Sequence, residues 1–171
     1  MKTKIILFFV LFCLTTTSFA QHNHSGNYHA GNYSTGYYNT GIGLRGGLYN
    51  GLTVKHFLSS NTAFEGLITS RWQGIELTGL YEVQNNFPGM KRLSSYIGFG
   101  GHVGFWNGDH TAWGTTGTEY TTIGIDGIIG LEYCFMFLPI NLSLDWKPEF
   151  NFIGYTGFWY DGGALSIRYI F

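Results

Sequence analysis

Charge is scarce in this sequence. Asp, Glu, Lys and Arg make up 11% of its 171 residues, against about 25% in an ordinary soluble domain, so little is available to cover a water-facing surface. Proline is held to three residues, which leaves extended chain largely uninterrupted. Cysteine is held to two, Cys13 and Cys134, too few for a disulfide framework. No stretch after the N-terminus is apolar for the 18 or so residues that a membrane helix needs. A basic excess is missing too. Without Lys2 and Lys4, seven Lys and Arg face ten Asp and Glu, a net charge of about −3, and no nucleic-acid partner is expected. Aromatic residues (19%) and glycine (26 residues) are abundant. Low charge, many aromatics and no spanning helix point to strands that face lipid.

The first 20 residues read as a secretory signal. Lys2 and Lys4 form a positive start, Ile5 to Leu14 an apolar run, and Ser18 and Ala20 place small residues before a cut after Ala20. Cys13 lies within the apolar run behind the bulky Phe12, which argues against a lipoprotein cleavage site. Removal of this segment leaves Cys134 alone, a small packed side chain in the ordinary case. Residues 21–40 are rich in Gln, His, Asn, Ser, Gly and Tyr and have no apolar period. They read as a flexible tail up to about Tyr38. His22, His24 and His29 lie in it at loose spacing, and no metal is assigned to them.

From residue 41 onward the pattern has period 2. The clearest run is 140–152. Ile140, Leu142, Leu144, Trp146, Pro148, Phe150 and Phe152 alternate with Asn141, Ser143, Asp145, Lys147, Glu149 and Asn151. Successive strand side chains point to opposite faces, so one face is apolar and the other polar. At about 3.3 Å per residue the run reaches roughly 43 Å; tilted by about 40° it rises about 33 Å, more than an apolar band of about 25 Å. The same test finds strands at 41–49, 52–58, 63–72, 75–84, 95–106, 121–135 and 162–171. The expectation is an all-β, eight-stranded antiparallel up-and-down transmembrane β-barrel over residues 41–171. Asn50-Gly51 reads as a type I′ turn, Gln73-Gly74 as a tight turn, and Pro88-Gly89 as part of a longer one.

Period 2 alone does not separate a membrane barrel from a soluble lipocalin-like barrel with the faces exchanged. The charges decide. Arg45, Lys55, Glu65, Arg71, Glu76, Glu82, Asp126, Glu132, Asp145, Lys147, Glu149 and Arg168 all fall on the polar phase. A charge facing lipid near the midplane costs about 2–4 kcal/mol, so these twelve are expected in the lumen as an ion-pair network. Gly98, Gly100, Gly104, Gly124 and Gly130 share their phase and suit the narrow interior of eight strands. Trp72, Phe105, Phe135, Phe152, Tyr169 and Phe171 lie on the apolar phase near strand ends, as interfacial girdles do.

The last strand, Gly163-Ala-Leu-Ser-Ile-Arg-Tyr-Ile-Phe171, looks like the terminal signal read by the outer-membrane assembly machinery. With the signal peptide and eight strands, the chain resembles the small outer-membrane β-barrel family that includes the OmpA transmembrane domain and OmpX. Leu52-Thr-Val-Lys-His-Phe-Leu58, Ile125-Asp-Gly-Ile-Ile-Gly-Leu-Glu-Tyr133 and Ile140-Asn-Leu-Ser-Leu-Asp-Trp-Lys-Pro148 look most like barrels from Bacteroidetes. The resemblance implies the outer membrane of a Gram-negative cell, outer-membrane lipids as surroundings, and that assembly machinery as a partner.

No catalytic, cofactor or metal residue is assigned. His102 beside Glu76 or Asp126 offers a base and its orienter, but no nucleophile motif accompanies them. A lipid A-modifying hydrolase is therefore the alternative, and a narrow channel another, to a structural or surface-interaction barrel that is not a general porin. Trp106, Trp113, Tyr120, Tyr155, Trp159 and Tyr160 lie in or beside loops 107–118 and 153–160. An extracellular ligand is expected to meet those loops, with Trp113 and Trp159 as the leading contacts.

Overall fold

The computed structural model describes residues 37–71, 74–90, 92–107, 119–154 and 156–171. The expected signal segment (1–20), the expected tail up to residue 36, Trp72 and Gln73, and His110, Trp113 and Tyr155 lie outside the described residues. No helix among the described residues is long and apolar enough to cross a membrane.

Ten strand segments follow one another: β1 (Thr40–Gly47), β2 (Asn50–Phe57), β3 (Thr62–Arg71), β4 (Gly74–Asn86), β5 (Leu93–Asn107), β6 (Glu119–Cys134), β7 (Ile140–Trp146), β8 (Glu149–Ile153), β9 (Gly157–Trp159) and β10 (Gly163–Ile170). β7 and β8 both pair with β6 and are two halves of one stave. The ladder lapses at Lys147 and Pro148, where proline has no N–H to give, although the Pro148 carbonyl still accepts from Gly127 N at 2.9 Å. β9 pairs with β8, and β10 with β7, as the last stave. The result is eight antiparallel staves in up-and-down order, closed by β1 against β10. The strict alternation of residues 140–152 runs unbroken through the lapse. Each polar residue is buried, whereas its apolar neighbours are exposed or half-exposed.

The two faces of the wall have opposite chemistry. Outside stand Ile42, Leu44, Leu52, Ile68, Leu77, Ile97, Phe99, Ile125, Leu144 and Ile167, with Phe99 70% exposed. Phe105, Phe135, Phe152, Tyr169 and Phe171 are exposed as well. Inside, the buried side chains are mostly polar or charged. An apolar cluster of Leu67, Leu80, Tyr96 and Ile128 interrupts them.

Two local expectations give way. The Asn50-Gly51 pair is not a type I′ turn. That turn needs positive φ at both residues, and among the described residues only Arg92, Gly89 and Gly154 have it. The chain turns through Leu48 and Tyr49, and Asn50 Oδ1 accepts from Gly47 N at 3.1 Å. Gly51 is in β2, where an added Cβ would fall 1.9 Å from the Ile68 carbonyl oxygen. Tyr38, placed in the tail by composition, is buried. Asn39 N and Thr40 N both donate to the Phe171 carbonyl, at 3.1 and 2.9 Å.

Candidate functional site in the barrel lumen

Inward positions stack into three levels, counted from the end that carries Tyr38 and Phe171. At this terminal end, Arg168 of β10 pairs with Glu65 of β3 and reaches Glu132 of β6 at 3.5 Å. Its Nε donates to Thr53 Oγ1 at 2.9 Å, and its Nη1 to Ser143 Oγ at 2.9 Å. Lys55 Nζ lies 2.8 Å from Glu82 Oε2 and 3.4 Å from Glu132 Oε2. It also donates to Gln84 Oε1 at 2.7 Å and stands 4.1 Å from the Tyr96 ring centre. Tyr38 OH closes this level by donating to Glu132 Oε1 at 2.9 Å.

The middle level holds the apolar cluster and one ion pair. Arg45 grips Asp145 with both terminal nitrogens, and Tyr96 OH donates to Asp145 Oδ2 at 2.9 Å. Fork-to-carboxylate pairing of this kind is strong and directional.

Toward the loop end, Lys147 Nζ meets three carboxylates: Glu76 at 3.1 Å, Asp126 at 3.0 Å and Glu149 at 3.1 Å. His102 Nδ1 is 3.0 Å from Asp126, and its Nε2 is 2.6 Å from Asn151 Oδ1. Trp106 covers this level; its ring occupies the space that a Cβ on Gly104 would enter, and Nε1 donates to the Arg71 carbonyl at 3.2 Å. Outermost, the Arg71 guanidinium bonds Asp161 at 2.7 Å and holds that carboxyl below the usual carboxylate range.

Eleven of the twelve expected lumen residues are therefore buried inside and in contact with an opposite charge. Arg71 stands apart at the rim. The buried set has four cations (Arg45, Lys55, Lys147 and Arg168) and seven carboxylates, so the interior is acid-rich whether or not His102 is charged. Among the expected loop contacts, Trp159 is half-buried in β9, next to exposed Phe158 and Tyr160, and Trp113 is outside the described residues. Trp106, grouped with the aromatics in or beside the loops, is buried inside the end of β5. It belongs to the even phase of Tyr96, Gly98, Gly100, His102 and Gly104, and that parity was the available signal. Leu67, Leu80 and Ile128 share the lumen phase in the same way, although their apolar character hid them.

The glycines on this phase are places of close approach. A Cβ on Gly130 would come within 2.5 Å of Tyr96 Cζ and 2.7 Å of Asp145 Cβ. Gly130→Val is expected to cost about 1–3 kcal/mol through overpacking. A urea titration checks this, and an unchanged midpoint would mean that the lumen has slack.

Comparison with family models, with curated proteins and with solved structures finds no match.

Proposed function

We propose that this chain is an integral outer-membrane β-barrel of the small eight-stranded kind, exported by residues 1–20, with a plugged and ion-paired lumen. Its role is structural or surface-interacting, and it is neither a general porin nor an enzyme. The observation that carries this reading is the reversed polarity of the wall. Charged side chains such as Lys55, Glu82 and Arg168 are sealed inside while Ile, Leu and Phe cover the outside. In water such an exterior would be an apolar surface far larger than the few hundred Å² that monomers tolerate. In lipid it is the low-energy arrangement.

Sealing argues against conduction, because four buried cations and seven carboxylates lock across the bore. Both ring nitrogens of His102 lie within hydrogen-bond distance of Asp126 or Asn151, which supports a non-catalytic role for it. Phe158 and Tyr160 at the loop end, with Trp113 and Trp159, are the proposed contacts for an extracellular ligand. The final strand is the proposed handle for the assembly machinery.

The full chain expressed in a Gram-negative host is expected in the outer-membrane fraction, with heat-modifiable migration on a gel. It is expected to give no stepwise conductance in a planar bilayer. A monomer that stays in solution without detergent would overturn the membrane reading, and steady ion conductance would overturn the sealed lumen.

A further inference from the structure

We infer that the loop-end level of the lumen is a binding site for a divalent transition-metal cation, held by Glu76, His102 and Glu149. One donor atom from each of these three residues lies within 4.8 Å of the others. They come from β4, β5 and β8, so the barrel itself sets their spacing. Zn²⁺ sits about 2.0–2.2 Å from nitrogen and oxygen ligands, so small side-chain adjustments bring all three to bonding distance. A mixed imidazole and carboxylate set favours a first-row transition ion over Ca²⁺ or Mg²⁺.

Charge points the same way. Glu76, Asp126 and Glu149 surround the single ammonium of Lys147. With a neutral His102 the level keeps two negative charges more than it balances, and buried charge without compensation is costly. A divalent cation supplies the difference.

A second, independent observation is a rung of unpartnered oxygens. Thr69, Glu76, Gly104 and Thr122 are register partners across four neighbouring staves. Thr69 and Thr122 are each 2% exposed. Thr69 Oγ1, Thr122 Oγ1 and Glu76 Oε2 have no hydrogen-bond partner. Thr122 Oγ1 lies 2.8 Å from where a Gly104 Cβ would be, beside the Trp106 ring that fills that space. Buried polar atoms are nearly always satisfied, and a cation bound at Glu76 Oε2, one register step from Thr69, would satisfy that oxygen.

His102 completes the geometry. Asp126 on Nδ1 is the usual outer partner of a metal-bound histidine, fixing the tautomer that leaves a lone pair on Nε2. In that tautomer Nε2 and Asn151 Oδ1 are two acceptors 2.6 Å apart. A cation beside them removes the conflict; the competing solutions are a second ring proton and a turned Asn151 amide that donates to Nε2.

The test uses the full folded chain in detergent near neutral pH, stripped of metal and titrated with Mn²⁺, with free Mn²⁺ read by electron paramagnetic resonance. One Mn²⁺ per chain is expected, displaced by Zn²⁺. Glu149→Gln and His102→Gln are expected to weaken binding by more than about tenfold, whereas Glu82→Gln at the terminal end leaves it unchanged. Lys147→Met should tighten it, because the ammonium competes for the same carboxylates. Heat-modifiable migration of each variant separates lost binding from lost folding. No saturable uptake up to about 1 mM Mn²⁺, or equal uptake by Glu149→Gln and the unaltered chain, overturns the inference. So does a His102 ring that carries two protons with and without metal. None of these outcomes depends on whether the wall faces lipid.

Discussion

Arg168→Met is expected to unfold most of the barrel. Arg168 is fully buried and pairs with Glu65 and Glu132 while bonding Thr53 and Ser143. Methionine fills much of the volume but leaves three carboxylates, Glu65, Glu82 and Glu132, facing one remaining ammonium, that of Lys55. Removing one partner of a buried ion pair costs about 3–5 kcal/mol, a large share of the roughly 5–15 kcal/mol that holds a domain together. The folded, heat-modifiable band should give way at much lower urea. Arg168→Met combined with Glu65→Gln should recover part of the loss, because the second change removes one stranded charge. A single variant as resistant to urea as the unaltered chain would show that the terminal-end network carries little of the stability.

The second large effect is expected on the outer wall. Ile125, near the middle of β6, is 58% exposed. On a protein in water, Ile125→Arg would change stability by no more than about 0.5 kcal/mol. In a bilayer the same change sets a guanidinium among acyl chains and costs about 2–4 kcal/mol at mid-depth. The proposed membrane location predicts the larger value in lipid vesicles, and a smaller penalty for arginine at Tyr169, close to the end of β10. Equal and negligible effects at both positions would reject a lipid-facing wall.

Much of this architecture was readable in residues 140–152, where alternation alone separates the two faces and the break at Lys147 and Pro148 leaves the phase intact. The inward direction of the charges was legible for the same reason: a period of two admits only two registers, and one of them places a dozen charges on the apolar side. Local turn chemistry was a weaker guide. Asn50 and Gly51 look like a turn but serve as a side-chain cap and a point of close strand approach. Composition also misplaced Tyr38, whose partner Glu132 lies 94 residues away. The same distance problem hides the pairings. Arg168 and Glu65 are 103 residues apart, and their meeting depends on the stagger of all the staves, which no single strand records. Trp106, the last residue of the expected strand 95–106, was grouped with the loop aromatics beside it although its parity assigned it to the interior.

The seam between β1 and β10 has a consequence for the order of assembly. Gly41 is matched with Ile170, and Gly47 with Ala164, so the earliest stave has no partner on one side until the latest arrives. Contacts that span almost the whole sequence form slowly. Until they form, the sheet has two unsatisfied borders, each able to recruit a strand from another molecule. Closure therefore comes as the final step, and an escort that shields those borders until then would decide how much of the chain becomes barrel and how much becomes aggregate.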